Sequence, residues 1–185
     1  MNSEDPILLT RESARWPSRL SDRLGAEAPA ELAARGCIEI LDGSLTALFC
    51  SARTPGDAIL PAHDTARRLR DEGITVISGF HSPIERDCLS ILLRGKQPII
   101  LCAARSIEKM RIPTDCRKAF DAGRMLFLSP FAGQPGRITK ESALRRSEVV
   151  AALADEAYIA HVTPGGQTKR IREMLVRWGV PVNGR

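Results

Sequence analysis

From Cys37 onward, short apolar runs alternate with helix-length segments, and this alternation restricts the fold more than any other feature of the chain. Residues 38–41 and 47–50 are strand candidates separated by an Asp42-Gly43 turn signal. The run 74–77 precedes a helix over 83–93, 98–102 a helix over 115–122, and 125–128 a helix over 140–153. Residues 157–160 lead to a helix over 168–178, and 180–182 supply a last edge strand. Strands that are apolar on both faces and separated by crossover-length segments predict α/β architecture, a parallel sheet covered by helices on both faces. Aromatic residues are only 4% of the chain, so the core is aliphatic, as such a sheet prefers.

The first 36 residues lack this rhythm. Thr10 or Ser13 can cap a first short helix that Pro17 interrupts, and residues 28–34 form an Ala-rich second one. The segment is too short to hold its own core, so it packs on the main domain or mediates association, a homodimer being the simplest form. The expected organisation is a Rossmann-like domain over residues 37–185 preceded by an N-terminal helical extension over 1–36. Five cysteines, odd in number and without a Cys-x-x-Cys pair, point to a reducing, cytoplasmic setting. No segment approaches the roughly 20 apolar residues that span a bilayer, so no membrane association is expected. His63, His81 and His161 share no ligand spacing, and neither a metal nor a cofactor is expected. The net charge of +5 and pI near 9.2 favour an anionic partner, nucleic acid or nucleotide.

In an open α/β sheet ligands bind at the strand-to-helix loops. Three loops have suitable chemistry. Ser51, Arg53 and Gly56 stand after the strand ending at Cys50; Gly79, His81 and Ser82 lead into a helix marked by Ser82, Pro83 and Glu85. The third, Thr163-Pro164-Gly165-Gly166-Gln167-Thr168, has two glycines at a helix N-terminus, where backbone amides and the helix dipole favour phosphate. Thr168, Lys169 and Arg170 can add contacts. Arg137, Arg145 and Arg146 form a second basic feature, either a solvated helix face or one arginine turned inward to a phosphate. Among acids, Glu85, Asp87, Glu141 and Glu148 stand out, but their spacing brings no two onto one site. Cys50 near His81 has a nucleophile's surroundings, although a buried strand-end cysteine is the stronger reading.

Residues 45–181 resemble the DNA-processing protein A (DprA/Smf) family, within the superfamily that also holds the LOG and YpsA-like proteins. Ser51-Ala52-Arg53 resembles that family's Gly-Ser-Arg, with Arg53 on its arginine. Residues 78–85 follow Ser-Gly-x-Ala-Arg-Gly-Ile-Asp, keeping Ser78, Gly79, Ile84 and an acid at Glu85. Residues 146–155 resemble Arg-Asn-Arg-Ile-Ile-Ala-Gly-Leu-Ser-Asp, keeping Arg146. His81, Ser82, Pro83, Ser147 and Glu148 depart from the pattern and remove two positive charges.

The resemblance implies binding of single-stranded DNA or a nucleotide, with a role in DNA processing or uptake. Ser51, Arg53, Gly79, His81, Ser82, Arg146, Pro164, Gly165, Gly166, Gln167 and Thr168 would line the site. LOG proteins carry Pro-Gly-Gly-x-Gly-Thr and paired catalytic glutamates, whereas Gln167-Thr168-Lys169-Arg170 stand here. A phosphoribohydrolase would therefore need Glu85 or Glu141 as substitute acids. Binding without catalysis is the first expectation, a LOG-type hydrolase and a small-nucleotide sensor the alternatives.

Overall fold

A computed structural model describes residues 2–51, 54–134 and 136–184, with only the backbone for 2–4. Within these residues the chain runs β1 (Asn2–Thr10), α1 (Ser18–Leu24), β2 (Glu31–Cys37), β3 (Thr46–Phe49), α2 (Gly56–Asp71), β4 (Val76–Ser78) and α3 (Pro83–Leu93). It continues through β5 (Ile99–Cys102), α4 (Thr114–Asp121), β6 (Met125–Ser129), α5 (Lys140–Leu153), β7 (Glu156–Ile159), α6 (Gln167–Arg177) and β8 (Val182–Gly184). All strands join one sheet in the order β1-β2-β6-β5-β4-β3-β7-β8. From β6 to β8 every pairing is parallel; β1 and β2 add an antiparallel edge. The α/β, Rossmann-like fold is thus present. One apolar layer packs α5 and α6 against one face of the sheet, and a second packs α2, α3 and α4 against the other.

The N-terminal segment corrects the expectation of two helices. Only α1 is an α-helix there, and it starts after Pro17; residues 2–10 and 31–37 are strands of the common sheet. Leucine and alanine made residues 32–34 look helical, but Ala33 packs in one core layer and Ala34 in the other. A strand with small side chains buried on both faces is the packing solution, and it overrides helix propensity. Residues 38–41, expected as a strand, lie instead in a 3-10 helix over Ile38–Asp42 in which Ile38, Ile40 and Leu41 are buried. Helices α3 to α6 lie within a residue of where the sequence places them, whereas α2, over Gly56–Asp71, has no counterpart among the expected helices. The Ser82 cap is a full capping box, and Thr139 builds another with Ser142 at the start of α5.

Helix α1 is tied to the domain through the far end of α5. Arg19 donates to Leu153 O at 2.8 Å and pairs with Asp155 at 2.7 Å, and Arg23 donates to the carbonyls of Ala152 and Ala154. Carbonyls at a helix C-terminus lack intrahelical donors, so these guanidiniums act as its cap. No helix among the described residues is long and apolar enough to cross a membrane.

Strand β3 lies between β4 and β7, so the connections leaving β3 and those reaching β7 run to opposite faces of the sheet. The carboxyl ends of β3 and β7 are therefore a topological switch point, where an open α/β sheet forms a crevice.

At the antiparallel edge, Gly36 has φ +116°, and a Cβ there would lie 2.3 Å from Met125 O. Gly123 also has positive φ, but open space surrounds it. Gly36→Ala should thus cost about 2–3 kcal/mol and Gly123→Ala about 1 kcal/mol. Thermal unfolding checks the ranking, and a Gly36→Ala melting point equal to that of Gly123→Ala would contradict it.

Candidate functional site

A cleft of about 330 Å³ opens at the switch point, lined by the ends of β3 and its following loop, the loop into α3, the first half of α5 and the start of α6. Ser51, His81, Ser82, Arg146, Gly166, Gln167 and Thr168, all named from the sequence, line it. Gly79 lies directly under Arg146. Pro164 and Gly165 are exposed at the loop tip, outside the lining, and Arg53 lies outside the described residues. Phe49, Cys50, Glu85, Ala143, Ser147, Thr163 and Ile171 complete the walls. Ala143 stands three residues before Arg146 and four before Ser147, so the 3.6-residue period aligns it with each of them on the side of α5 that faces the cleft.

Glu85 builds one wall. It is 7% exposed, and its carboxylate accepts the backbone N–H of Cys50 at 3.0 Å, of His81 at 2.8 Å and of Ser82 at 3.1 Å. Two chain segments are pinned by one side chain, the end of β3 and the turn into α3. Between them Phe80 holds φ +47°, a conformation an aromatic residue adopts only when its surroundings enforce it. With three of its acceptor positions engaged, Glu85 serves the backbone. Glu141 is exposed and does not line the cleft.

Arg146 supplies the charge. It is 7% exposed, Nη1 donates to Cys102 O at 3.4 Å, and Nε has no hydrogen-bond partner among the described residues. The guanidinium lies on Gly79: a Cβ at that position would stand 1.4 Å from Nη1. Gly79 is needed for this close approach and not for an unusual φ, which the sequence could not distinguish. Burial pushes the neighbouring Cys102 thiol up to about 12 even though Arg146 draws it down, so the thiol stays neutral and offers no counter-charge. A buried cation lacking a full set of partners is expensive, and such a group marks a place where an anion completes the arrangement.

Cys50 is unsuited to nucleophilic work. The hydrogen bond with the Cys88 thiol, followed by burial and the nearby Glu85 charge, pushes it upward, away from the thiolate. Cys88 in turn donates to Ala62 O at 3.7 Å.

The glycine loop is more self-contained than its sequence implies. Gly165 takes φ +69°, while a Cβ on Gly166 would stand 3.1 Å from both Thr163 Cβ and Thr163 O. The Gly166 N–H donates to Thr163 O at 2.9 Å, and the Thr163 N–H donates to Thr168 Oγ1 at 3.3 Å. Gly166 caps α6 without a side-chain hydrogen bond, and the first turn holds no acid. The orphan amides of that turn, and not the Gly166 amide, are what the loop presents. Lys169 and Arg170, expected to help, are engaged on the helix surface with Glu173 at 3.9 Å and Glu148 at 2.6 Å.

Gly79→Ala should displace the Arg146 guanidinium. If that contact is its main effect, Gly79→Ala and Arg146→Gln will be strongly non-additive in unfolding free energy, with coupling of about 1 kcal/mol or more. Additive losses would show that the two residues act independently.

The family model described as DNA recombination-mediator protein A matches residues 7–166. DNA processing protein A from Streptococcus pneumoniae superposes with TM-score 0.76 at 16% identity, over 95% of this chain and 61% of that one. The Helicobacter pylori protein, whose structure addresses a unique single-stranded DNA binding mode, gives 0.73 at 20% identity over 98% and 81%. A molybdenum cofactor binding protein from Rippkaea orientalis shares the fold more loosely, at 0.51 and 10% identity over 75% and 74%. Among curated protein sequences none gives a significant match. The chain thus spans 61% of the pneumococcal protein's length, and at these identities the superpositions establish the fold alone. With the family match extending from β1 to the loop before α6, the chain belongs to the DNA recombination-mediator protein A family.

Proposed function

We propose that the switch-point cleft binds single-stranded DNA by a backbone phosphate, and that the protein acts in DNA processing without chemistry on the strand. The observation that carries this is Arg146: a guanidinium fixed on Gly79, 7% exposed, with Nε unpartnered and no carboxylate paired to it among the described residues. A phosphate oxygen is a strong acceptor for such a group, and the amides of the first turn of α6 lie across the same cleft. Ser51, Ser82 and Thr168 supply hydroxyls suited to phosphate oxygens.

The cleft's volume, at the small end for ligand sites, suits one nucleotide unit of a strand, and the net charge of +5 favours the polyanion. A mononucleotide would use the same groups and bind less tightly. The matched Helicobacter pylori relative is described as binding single-stranded DNA, which supports the polymer over the monomer. All five cysteines are free in the structure, in keeping with a reducing compartment such as the cytoplasm.

Labelled oligo(dT) should bind in a salt-sensitive manner, because neutralised phosphates release counterions. Arg146→Gln should weaken binding about tenfold and flatten the log–log salt slope by about 0.7, the loss of one single-strand phosphate contact. Fluorescence anisotropy at several salt concentrations measures both, and absence of wild-type binding at low salt would refute the proposal.

A further inference from the structure

Three arginines on α5 and α6 stand next to cleft residues in sequence, but only Arg146 lines the cleft, and the structure treats the three differently. Arg146 turns inward to Gly79. Arg145, one residue earlier and so about 100° around the helix, pairs with Glu148 at 3.3 Å and donates to Glu27 O. Arg170, in the opening turns of α6, donates to the other Glu148 oxygen at 2.6 Å. Glu148 therefore holds two guanidiniums, one from each of the helices that form this side of the cleft. Its side chain is 9% exposed, against 62% for Arg170.

We infer that Glu148 is a specificity-determining residue of the cleft: it keeps Arg145 and Arg170 from a ligand's phosphates, leaving Arg146 and the α6 amides to set how many are neutralised there. The inference rests on reading the cleft as a phosphate site. Its physical basis is the asymmetry of exposure. A phosphate that drew Arg170 away would leave a largely buried carboxylate short of a partner, and removing one partner of a buried pair is costly. The exposed Lys169–Glu173 pair, at 3.9 Å, has no such restraint and is free to exchange partners with a phosphate. Proximity to the cleft and availability to an anion are thus separated by one buried side chain. A second tie, Gln167 Nε2 to Lys140 O at 3.2 Å, keeps the start of α6 on α5 when the ion pair is altered.

Salt elution from immobilised heparin, together with oligo(dT) titration, tests this. Glu148→Gln should elute at higher salt than Glu141→Gln, which removes the same charge from an exposed position on the same helix. Glu148→Gln/Arg170→Gln, which restores the wild-type net charge, should elute no earlier than wild type. On oligo(dT), Glu148→Gln should steepen the log–log salt slope by about 0.7 for each phosphate gained. Equal heparin shifts for Glu148→Gln and Glu141→Gln would overturn the inference, as would a double variant eluting earlier than wild type. Should wild type fail to bind oligo(dT), the proposed function falls while the heparin comparison still decides the role of Glu148. Should Glu148→Gln fail to fold, the double variant, which leaves no buried charge uncompensated, decides alone.

Discussion

The site depends on a close approach between Arg146 and the backbone at Gly79. A guanidinium can reach the interior above the ends of β4 and β5 only if nothing projects from residue 79, and a single methyl group there would occupy its volume. Because β4 is three residues long and ends one position earlier, the strand delivers the glycine and α5 delivers the arginine to one point. The switch-point topology then leaves that point open toward the cleft. Fold and charge are coupled here: moving either element changes the field in the crevice.

Glu85 plays the complementary part. Its three backbone hydrogen bonds join the end of β3 to the turn into α3, so the walls on either side of the cleft move as one body. It also sits where a hydrolytic acid would be sought. A carboxylate with three N–H groups on it is committed to accepting from the backbone, and serving as a base would require giving up bonds that shape the cleft. The same residue type that suggests catalysis in sequence is here an element of architecture.

Most of the parallel sheet was legible in the sequence, because its strands are doubly apolar and its helices carry strong starts such as Ser82-Pro83-Ile84-Glu85. The antiparallel edge was not. Ala33 and Ala34 have high helix propensity, and only the contacts with two core layers make them strand residues. At the site, residue types and loops were readable, since turn and capping chemistry is local. Directions were not. Arg145 and Arg146 are identical in kind and adjacent, yet one pairs with Glu148 and the other turns onto Gly79, a difference set by the rotation of α5. Likewise Arg170 looks like a phosphate ligand until its buried carboxylate partner on α5 is seen.

A buried arginine is costly to the folded state, and that cost bears on how the proposed phosphate site would work. An exposed arginine must be immobilised and dehydrated when it meets a phosphate, which consumes much of the attraction. For Arg146 the desolvation and the loss of rotamer freedom have already occurred during folding, offset by the two apolar layers around it. What remains on binding is the hydrogen bonding of a fixed, underused group to a strong acceptor. A second cation with the same exposure as Arg170 would not behave this way, because its charge is shared with water and with Glu148. At the proposed site, one pre-positioned guanidinium beside an uncapped helix start would therefore discriminate by geometry, where a larger cluster of mobile cations would discriminate by charge alone.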